Sequence, residues 1–317
     1  MIYNDGKPYY SLNTAYRERF GKKAVKISLD AGFTCPNRDG TLDTRGCIFC
    51  SAKGSGDFAA KGRTIAEQIE YGKKQQKWQG LSPCYIAYFQ AFTNTYAPIP
   101  ILKALYEQAL CCDNIAGISI ATRPDCLAEE VISLLYEINQ KTALWVELGL
   151  QTIHERSIAL IRRCYSNAVF EKAVMELSQK NIETVVHIIL GLPHETKQDM
   201  LATIDYINQL PIKGIKLQLL HVLKDTDLAD DYQKGNFDTL SMEQYVDIVC
   251  DCIEHLRPDI VIHRLTGDGN ADNLIAPLWS NQKRLVLNTI HKTLKQRNSF
   301  QGKKYENSCT KFHFTIY

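Results

Sequence analysis

Apolar runs and amphipathic stretches alternate along most of this chain. "AVKISLDAGF" opens the series and reads as a strand, and "RTIAEQIEYGKKQQKW" has the three- and four-residue apolar spacing of a helix. "PCYIAYFQAF" is a strand, and "IPILKALYEQAL" is a helix with Pro100 near its first turn. "IAGISIATRPD" and "LAEEVISLLYEINQK" continue as strand and helix. "ALWVELGLQT" is a strand followed by helices at "HERSIALIRR" and "NAVFEKAVMELSQKN". "ETVVHIILGLP", "KQDMLATIDYINQL" and "GIKLQLLHVL" complete the pattern as strand, helix and strand. The β-α alternation repeats six times between about residue 24 and about residue 223.

Strands separated by helices of this length pair in parallel through right-handed crossovers. The strands are apolar on both faces, as parallel strands buried between helices should be. The expected fold class is α/β: a partial (β/α)6 TIM-like barrel with a C-terminal α/β extension, a complete barrel needing eight units. The extension carries a helix at "SMEQYVDIVCDCIEHL", a strand at "DIVIHRLTG", the loop "TGDGNADN" and a helix over about 281–297. This divides the chain into an N-terminal segment (1–23), a core barrel (24–230) and an extension (231–317) with a basic end.

Composition adds bounds. The chain has 317 residues, 45% of them hydrophobic, which suffices for a core without disulfide staples. Its start lacks the apolar region of a signal peptide, and no run reaches the ~18 apolar residues of a membrane span. Eleven cysteines in a chain without an export signal then imply a reducing cytoplasm, where cysteine clusters serve metals or catalysis. Net charge is only +2, yet both ends are basic: from Lys283 onward eight Lys or Arg face one acid, Glu306. Phe300, Tyr305, Phe312, Phe314 and Tyr317 are interleaved there, a combination that suits phosphates and unstacked bases. A solvated helix face followed by a last strand packed on the core would produce the same pattern.

The candidate chemistry lies in "AGFTCPNRDGTLDTRGCIFCSAKGSGDF", the loop after the first strand, with Cys35, Cys47 and Cys50. In a parallel barrel that loop stands at the C-terminal face, where active sites are built. Three thiolates can hold three irons of a four-iron cluster and leave the fourth iron open to a chelating ligand. A zinc site borrowing a fourth ligand from the remaining cysteines, among them Cys84, Cys126, Cys164 and Cys309, fits the spacing as well. Several of those cysteines fall in strand or helix patterns, where a free Cys is more often a small buried hydrophobe.

The cysteine triad after strand one, Phe49 just before its last member, and the six β-α units together resemble the radical S-adenosylmethionine (SAM) superfamily. The gap from Cys35 to Cys47 is longer than the superfamily's commonest spacing. With "CPNRDG…GCIFC" it resembles the YhcC/YtqA-type branch, related to the radical SAM domain of the Elongator catalytic subunit. "YFQAFTNTYAP", "ATRPDCL", "VELGLQT", "HIILGLP" and "LLHVLKDTDLA" extend the resemblance over nearly the whole core. It implies a [4Fe-4S] cluster on Cys35, Cys47 and Cys50, whose open iron binds the amino and carboxylate groups of SAM. It also implies an electron donor such as flavodoxin or ferredoxin, and reductive cleavage of SAM to a 5′-deoxyadenosyl radical. The branch further implies tRNA as partner, with chemistry on the C5 side chain of a wobble uridine. Acetyl-CoA chemistry is not carried over, because no acetyltransferase pattern follows the barrel. A small metabolite or tetrapyrrole is the competing substrate, and a zinc-dependent RNA-binding protein the competing class.

Each remaining motif has an expected place in such a site. Gln90, Thr93 and Asn94 follow strand two, where the superfamily holds the SAM amine; a turn capping the next helix is the plainer alternative. Arg123, kept out of helical geometry by Pro124, would face the SAM carboxylate or a phosphate, unless it pairs with Asp125. Strand alternation sets Glu147, Gly149 and Gln151 on one face, where Glu147 could accept from ribose hydroxyls. A structural ion pair of Glu147 with a barrel Arg is the alternative. Arg162 and Arg163 are expected on the following helix, one of them meeting the SAM carboxylate or both solvated. Gly191 would let adenine lie over the end of strand five. His187 and His221 read as core or pore-lining residues, and Asp268 and Asn270 as loop-closing residues.

Overall fold

The computed structural model describes residues 2–51, 54, 64–76, 83–267 and 271–305. Six strands fall on the six predicted runs: β1 (Ala24–Leu29), β2 (Cys84–Phe89), β3 (Ile115–Thr122), β4 (Ala143–Gln151), β5 (Glu183–Leu190) and β6 (Gly214–Leu219). They pair in sequence order, all parallel. The apolar run after Gly214 does not continue as one strand. It breaks into β6 and a short β7 (Val222–Leu223), which pairs antiparallel with β9 (Leu274–Ala276). The extension supplies β8 (Val261–Arg264), parallel to β6, so the main sheet has seven strands rather than the six of the expected barrel.

Helices cover the outside of this sheet: α2 (Ile65–Gln75), α3 (Ile99–Leu110), α4 (Glu129–Asn139), α5 (Glu155–Leu160), α6 (Asn167–Gln179) and α7 (Lys197–Asn208). Capping boxes at Thr64 and Thr196 fix where α2 and α7 begin, each threonine hydroxyl and its partner acid satisfying end amides reciprocally. Two helices were not foreseen: α1 (Leu12–Phe20) in the N-terminal segment and α8 (Asp227–Gln233) after β7. The helix expected at "HERSIALIRR" stops at Leu160, and Arg162 and Cys164 take left-handed backbone angles of +54° and +63°. The last two helices, α9 (Met242–His255) and α10 (Lys283–Gln296), pack on each other beside α7.

The sheet must curl, and one carboxylate shows it. Neighbouring strands lie about 4.8 Å apart, so β1 stands three steps from β4, and β6 two steps on the other side. Glu147 of β4 nevertheless bonds Lys26 of β1 and Lys216 of β6. The inner face of the sheet therefore closes around a polar centre, while its outer face carries the main apolar core with the helices. At the N-terminal end of the strands α1 plugs the barrel, with Tyr16 and Phe20 set edge-on to Trp145. The N-terminal segment also covers the outer edge of β8, the Ile262 amide donating to Tyr10 O over 2.8 Å. Phe312, Phe314, Tyr317 and Cys309, together with Asp268 and Asn270, lie outside the described residues.

Candidate active site

The loop after β1 is shaped by its own side chains. After Cys35 the chain makes a turn, with the Arg38 amide donating to Cys35 O at 2.8 Å. The Gly46 amide donates to Asn37 O at 2.7 Å and so closes the segment between the cysteines on itself. Arg38 crosses this loop and donates to Cys50 O and Ser51 O at 2.8 and 2.7 Å. Gly46 has a φ of +78°, and a Cβ there would lie 3.0 Å from the Arg38 guanidinium, so glycine is needed on both counts. Asn37 links the loop to the chain after α5. Its amide donates to Arg162 O at 2.8 Å and lies 3.6 Å from Cys47 Sγ. Cys35, Cys47 and Cys50, twelve and three residues apart in the chain, thereby reach one wall of a single cavity. Burial pushes the Cys47 thiol up to about 12, with Cys50 and Cys35 adding to the rise and Arg123 and Asn37 opposing it.

The cavity, of about 300 Å³, sits at the C-terminal ends of the strands. Gln90 and Thr93 line it from the loop after β2, and Arg123 from the end of β3. Arg123 pairs with Asp125 through two bonds of 2.9 and 2.7 Å and lies over the Tyr165 ring, 4.8 Å from its centre. Its charge is held firmly, Asp125 raising its affinity for the proton against the cost of burial. Gln151 enters from β4 with a left-handed φ of +65°, at an irregularity in the pairing with β5. Its Oε1 is buried without a hydrogen-bond partner among the described residues.

Beneath this mouth lies an ion cluster centred on Glu147, whose side chain is fully buried. Oε1 accepts from Lys26 and from Ser119, the latter at 2.5 Å. Oε2 accepts from His187 at 2.7 Å and from Lys216. Both lysine ammonium groups lie over the ring of Tyr88, and Lys216 also donates to the Tyr88 hydroxyl at 3.0 Å. Burial pulls Lys216 down to about 7 although Glu147 opposes it. Burial also raises the cost of charge on Glu147, but Lys216 and Lys26 outweigh it and hold the carboxyl well below its ordinary range.

The chain matches the family model for the Radical SAM superfamily over residues 44–207 and that for the Radical_SAM C-terminal domain over residues 212–296. It is 46% identical to the uncharacterized protein YtqA of Bacillus subtilis over 96% of this chain and 94% of the relative. To protein YhcC of Escherichia coli it is 36% identical, over 82% of this chain and 84% of the other. The chain belongs to the radical SAM superfamily. A more distant sequence relative, at 24% identity over 42% of this chain and 25% of its own length, is a tRNA uridine(34) acetyltransferase of Methanocaldococcus infernus. Among solved structures, Elp3 of Methanocaldococcus infernus superposes with a TM-score of 0.68 at 16% identity. That match covers 88% of this chain and spans 64% of the other, and it shows the shared partial-barrel fold.

Radical SAM proteins use a [4Fe-4S] cluster and S-adenosylmethionine, and the residues present fit both. All three cysteines line one cavity. Among the described residues no three His, Cys, Asp or Glu side chains are grouped to hold a single ion, whereas a four-iron cluster takes each thiolate on a different iron. Gln151, whose Oε1 is orphaned, lines the same space. A Cβ at Gly149 would come within 2.7 Å of the Gln151 side chain, and one at Gly267 within 2.6 Å of His221, so both glycines make room for these cavity-lining side chains.

Four expectations about this radical SAM site need correcting. Asn94 does not line the cavity. It is fully buried and donates to Phe89 O and Ala121 O at 3.1 and 2.9 Å, tying the ends of β2 and β3 together. Gly191 is not on the wall either. Its φ of +84° and the Leu240 side chain, 2.9 Å from where a Cβ would be, account for the glycine. Arg163 lines the cavity as expected, but it is neither helical nor solvated. Its guanidinium is spent on Leu150 O, Thr152 O, Tyr165 O and the Asn167 side chain, so it clamps the turn beneath Tyr165. Glu147 lines the cavity, yet both its oxygens are engaged by the chain itself, and its partners are lysines rather than an arginine. Lys26, His187 and Lys216 were legible as lone polar residues in apolar strands, the signal that singled out Glu147. Nothing comparable marked Asn37 or Tyr165.

Proposed function

We propose that this radical SAM enzyme modifies tRNA, acting on the C5 side chain of a wobble uridine. The observation that carries this reading is the sequence relation to an archaeal tRNA uridine(34) acetyltransferase. The fold shared with Elp3 and the basic character of the chain's ends support it. In this reading Cys35, Cys47 and Cys50 hold the cluster, which when loaded with SAM and reduced by a flavodoxin- or ferredoxin-like donor supplies a 5′-deoxyadenosyl radical for hydrogen abstraction.

The chain's own groups then have definite tasks. Asn37 holds Cys47 and the Arg162 carbonyl together. Arg123, stiffened by Asp125 and Tyr165, offers fixed positive charge beside the cysteines to a carboxylate. Gln90, Thr93 and the Gln151 acceptor bind polar atoms of SAM, while the Glu147 cluster forms the charged floor. The core barrel (24–230) carries these groups, the extension (231–317) adds the seventh strand, and the N-terminal segment (1–23) plugs the base. Eleven cysteines suit a protein working in the reducing cytoplasm, and among the described residues no helix is long and apolar enough to cross a membrane.

Nucleosides from bulk tRNA of a deletion strain, resolved by mass spectrometry, test the substrate. Loss or accumulation of a C5-substituted wobble uridine is expected, and an unchanged profile would reject it. Cys47→Ser should abolish the cluster's visible absorption and dithionite-driven formation of 5′-deoxyadenosine, with the thermal unfolding midpoint retained. A wild-type protein that is colourless after anaerobic purification and binds zinc would reject the cluster.

A further inference from the structure

Asn37 stands two residues after Cys35, is only 1% exposed and lines the cysteine cavity. The two ends of its amide are unequally served. Nδ2 donates to Arg162 O at 2.8 Å and lies 3.6 Å from Cys47 Sγ. Oδ1 is buried and has no hydrogen-bond partner among the described residues. Cys47 Sγ itself lies 3.7 Å from Arg162 O. A thiol satisfies that contact by donating, and a thiolate does not, so a cluster-bound Cys47 leaves two acceptors side by side. The two N–H groups of one amide can serve both. Turning the amide over would set Oδ1 against the same carbonyl and sulfur. The partners of Nδ2 therefore fix the orientation, although an unmet buried acceptor costs free energy.

Three hydrogen bonds hold this amide and close on themselves. Asn37 Nδ2 donates to Arg162 O, Arg162 Nε donates to Gly46 O at 3.0 Å, and the Gly46 amide donates to Asn37 O at 2.7 Å. The Arg162 guanidinium also pairs with Asp227 of α8. The donor that meets Cys47 is thus placed by the chain alone. A hydrogen bond to a cysteine sulfur of an iron–sulfur cluster strengthens as that sulfur becomes more negative, and such bonds set the cluster's potential. We propose that Asn37 is a positioning residue that raises the cluster's reduction potential by donating a hydrogen bond to the sulfur of Cys47. The inference rests on the reading above that Cys47 is a cluster ligand. The flavodoxin- or ferredoxin-like donor gives one electron, with no proton transferred, and Asn37 makes that electron easier to accept.

The test is a redox titration, followed by electron paramagnetic resonance, of the full chain with its cluster reconstituted. Asn37→Leu keeps a branched side chain and removes both the donor and the unmet acceptor. It should shift the one-electron equilibrium about tenfold toward the oxidised cluster, a fall of about 59 mV in midpoint, with four irons retained. Asn37→Asp puts a charged acceptor in the same volume and should lower the midpoint further. Both variants lose the bond to Arg162 O, so a mere tie between loops would shift them alike. The descending order wild type, Asn37→Leu, Asn37→Asp supports the bond to sulfur. A wild-type midpoint in Asn37→Leu, or equal shifts in both variants, overturns it. Failure of both variants to hold four irons when the wild type does would make Asn37 a loop-holding residue and overturn it as well. A Cys47→Ser protein that still holds four irons would instead reject the ligand reading, and the proposal with it.

Discussion

Two carboxylate-centred networks in this protein use the same chemistry in different surroundings. On the outer layer, Asp247, Asp251 and Glu254 of α9 meet Lys197 of α7, Arg297 after α10, and Lys304. Three acids face three cations there, and the cation side chains keep 26–49% of their exposure. Inside the barrel a single acid, Glu147, serves Lys26, Lys216 and His187, and Lys216 keeps only 5%. The outer network is balanced and joins neighbouring helices. The inner one has more basic groups than carboxylates, opens onto the cysteine cavity, and depends on one residue. Its oxygens have no spare capacity and Lys216 has little water to fall back on, so geometry alone makes Glu147 the more critical of the acids.

Substitutions should separate the two. Glu147→Gln leaves two buried lysines facing an amide and should cost about 3–5 kcal/mol in urea unfolding, the range for breaking a buried pair from one side. A loss under 1 kcal/mol would mean that the cluster is hydrated.

A pH experiment reads the same interior. Burial and Lys216 push His187 down to about 4, against the pull of Glu147. The unfolded chain binds a proton at an ordinary histidine near 6.5, and the folded state refuses it until about 4. Stability should therefore fall as pH drops through that window, by up to about 3 kcal/mol. His187→Gln should flatten the dependence between pH 6.5 and 4. A variant as acid-sensitive as the wild type would place the loss in another group.

The outer network should respond less. Asp251→Asn, which loosens bonds to three cations at once, should cost about 1–2 kcal/mol by thermal unfolding. Lys304→Gln, at a half-exposed position, should cost under about 1 kcal/mol, and salt should erase that difference. An outer substitution more damaging than Glu147→Gln would reverse the ranking.

Much of this arrangement was legible beforehand. The strands β1 to β6 and most helices follow from apolar periodicity, because buried parallel strands and amphipathic helices differ in just that respect. The three cysteines were legible because the loop after the first strand of a barrel faces its mouth. What could not be read were contacts between distant segments. Asn94 looked like a ligand-binding residue at a strand end, but its partners are carbonyls of β2 and β3 aligned only by folding. Gly191 looked like room for a ligand, and the room is taken by Leu240, forty-nine residues later. The arginine pair after α5 carried no mark that one member would clamp four acceptors while the other, Arg162, would donate to Gly46 O at 3.0 Å.

The bond from the Gly46 amide to Asn37 O has a consequence for how the cysteine spacing should be understood. The chain leaves the cavity wall at Asn37 and returns to it nine residues later at almost the same point. What lies between is an appendage rather than a spacer. Lengthening such a closed excursion costs free energy only as the logarithm of its length. The Leu42 amide also donates to Pro36 O at 2.8 Å, so residues inserted between Asp43 and Gly46, past that bond, would leave Cys35 and Cys47 where they are. The pinned endpoints, more than the number of residues between them, set where the two ligands stand.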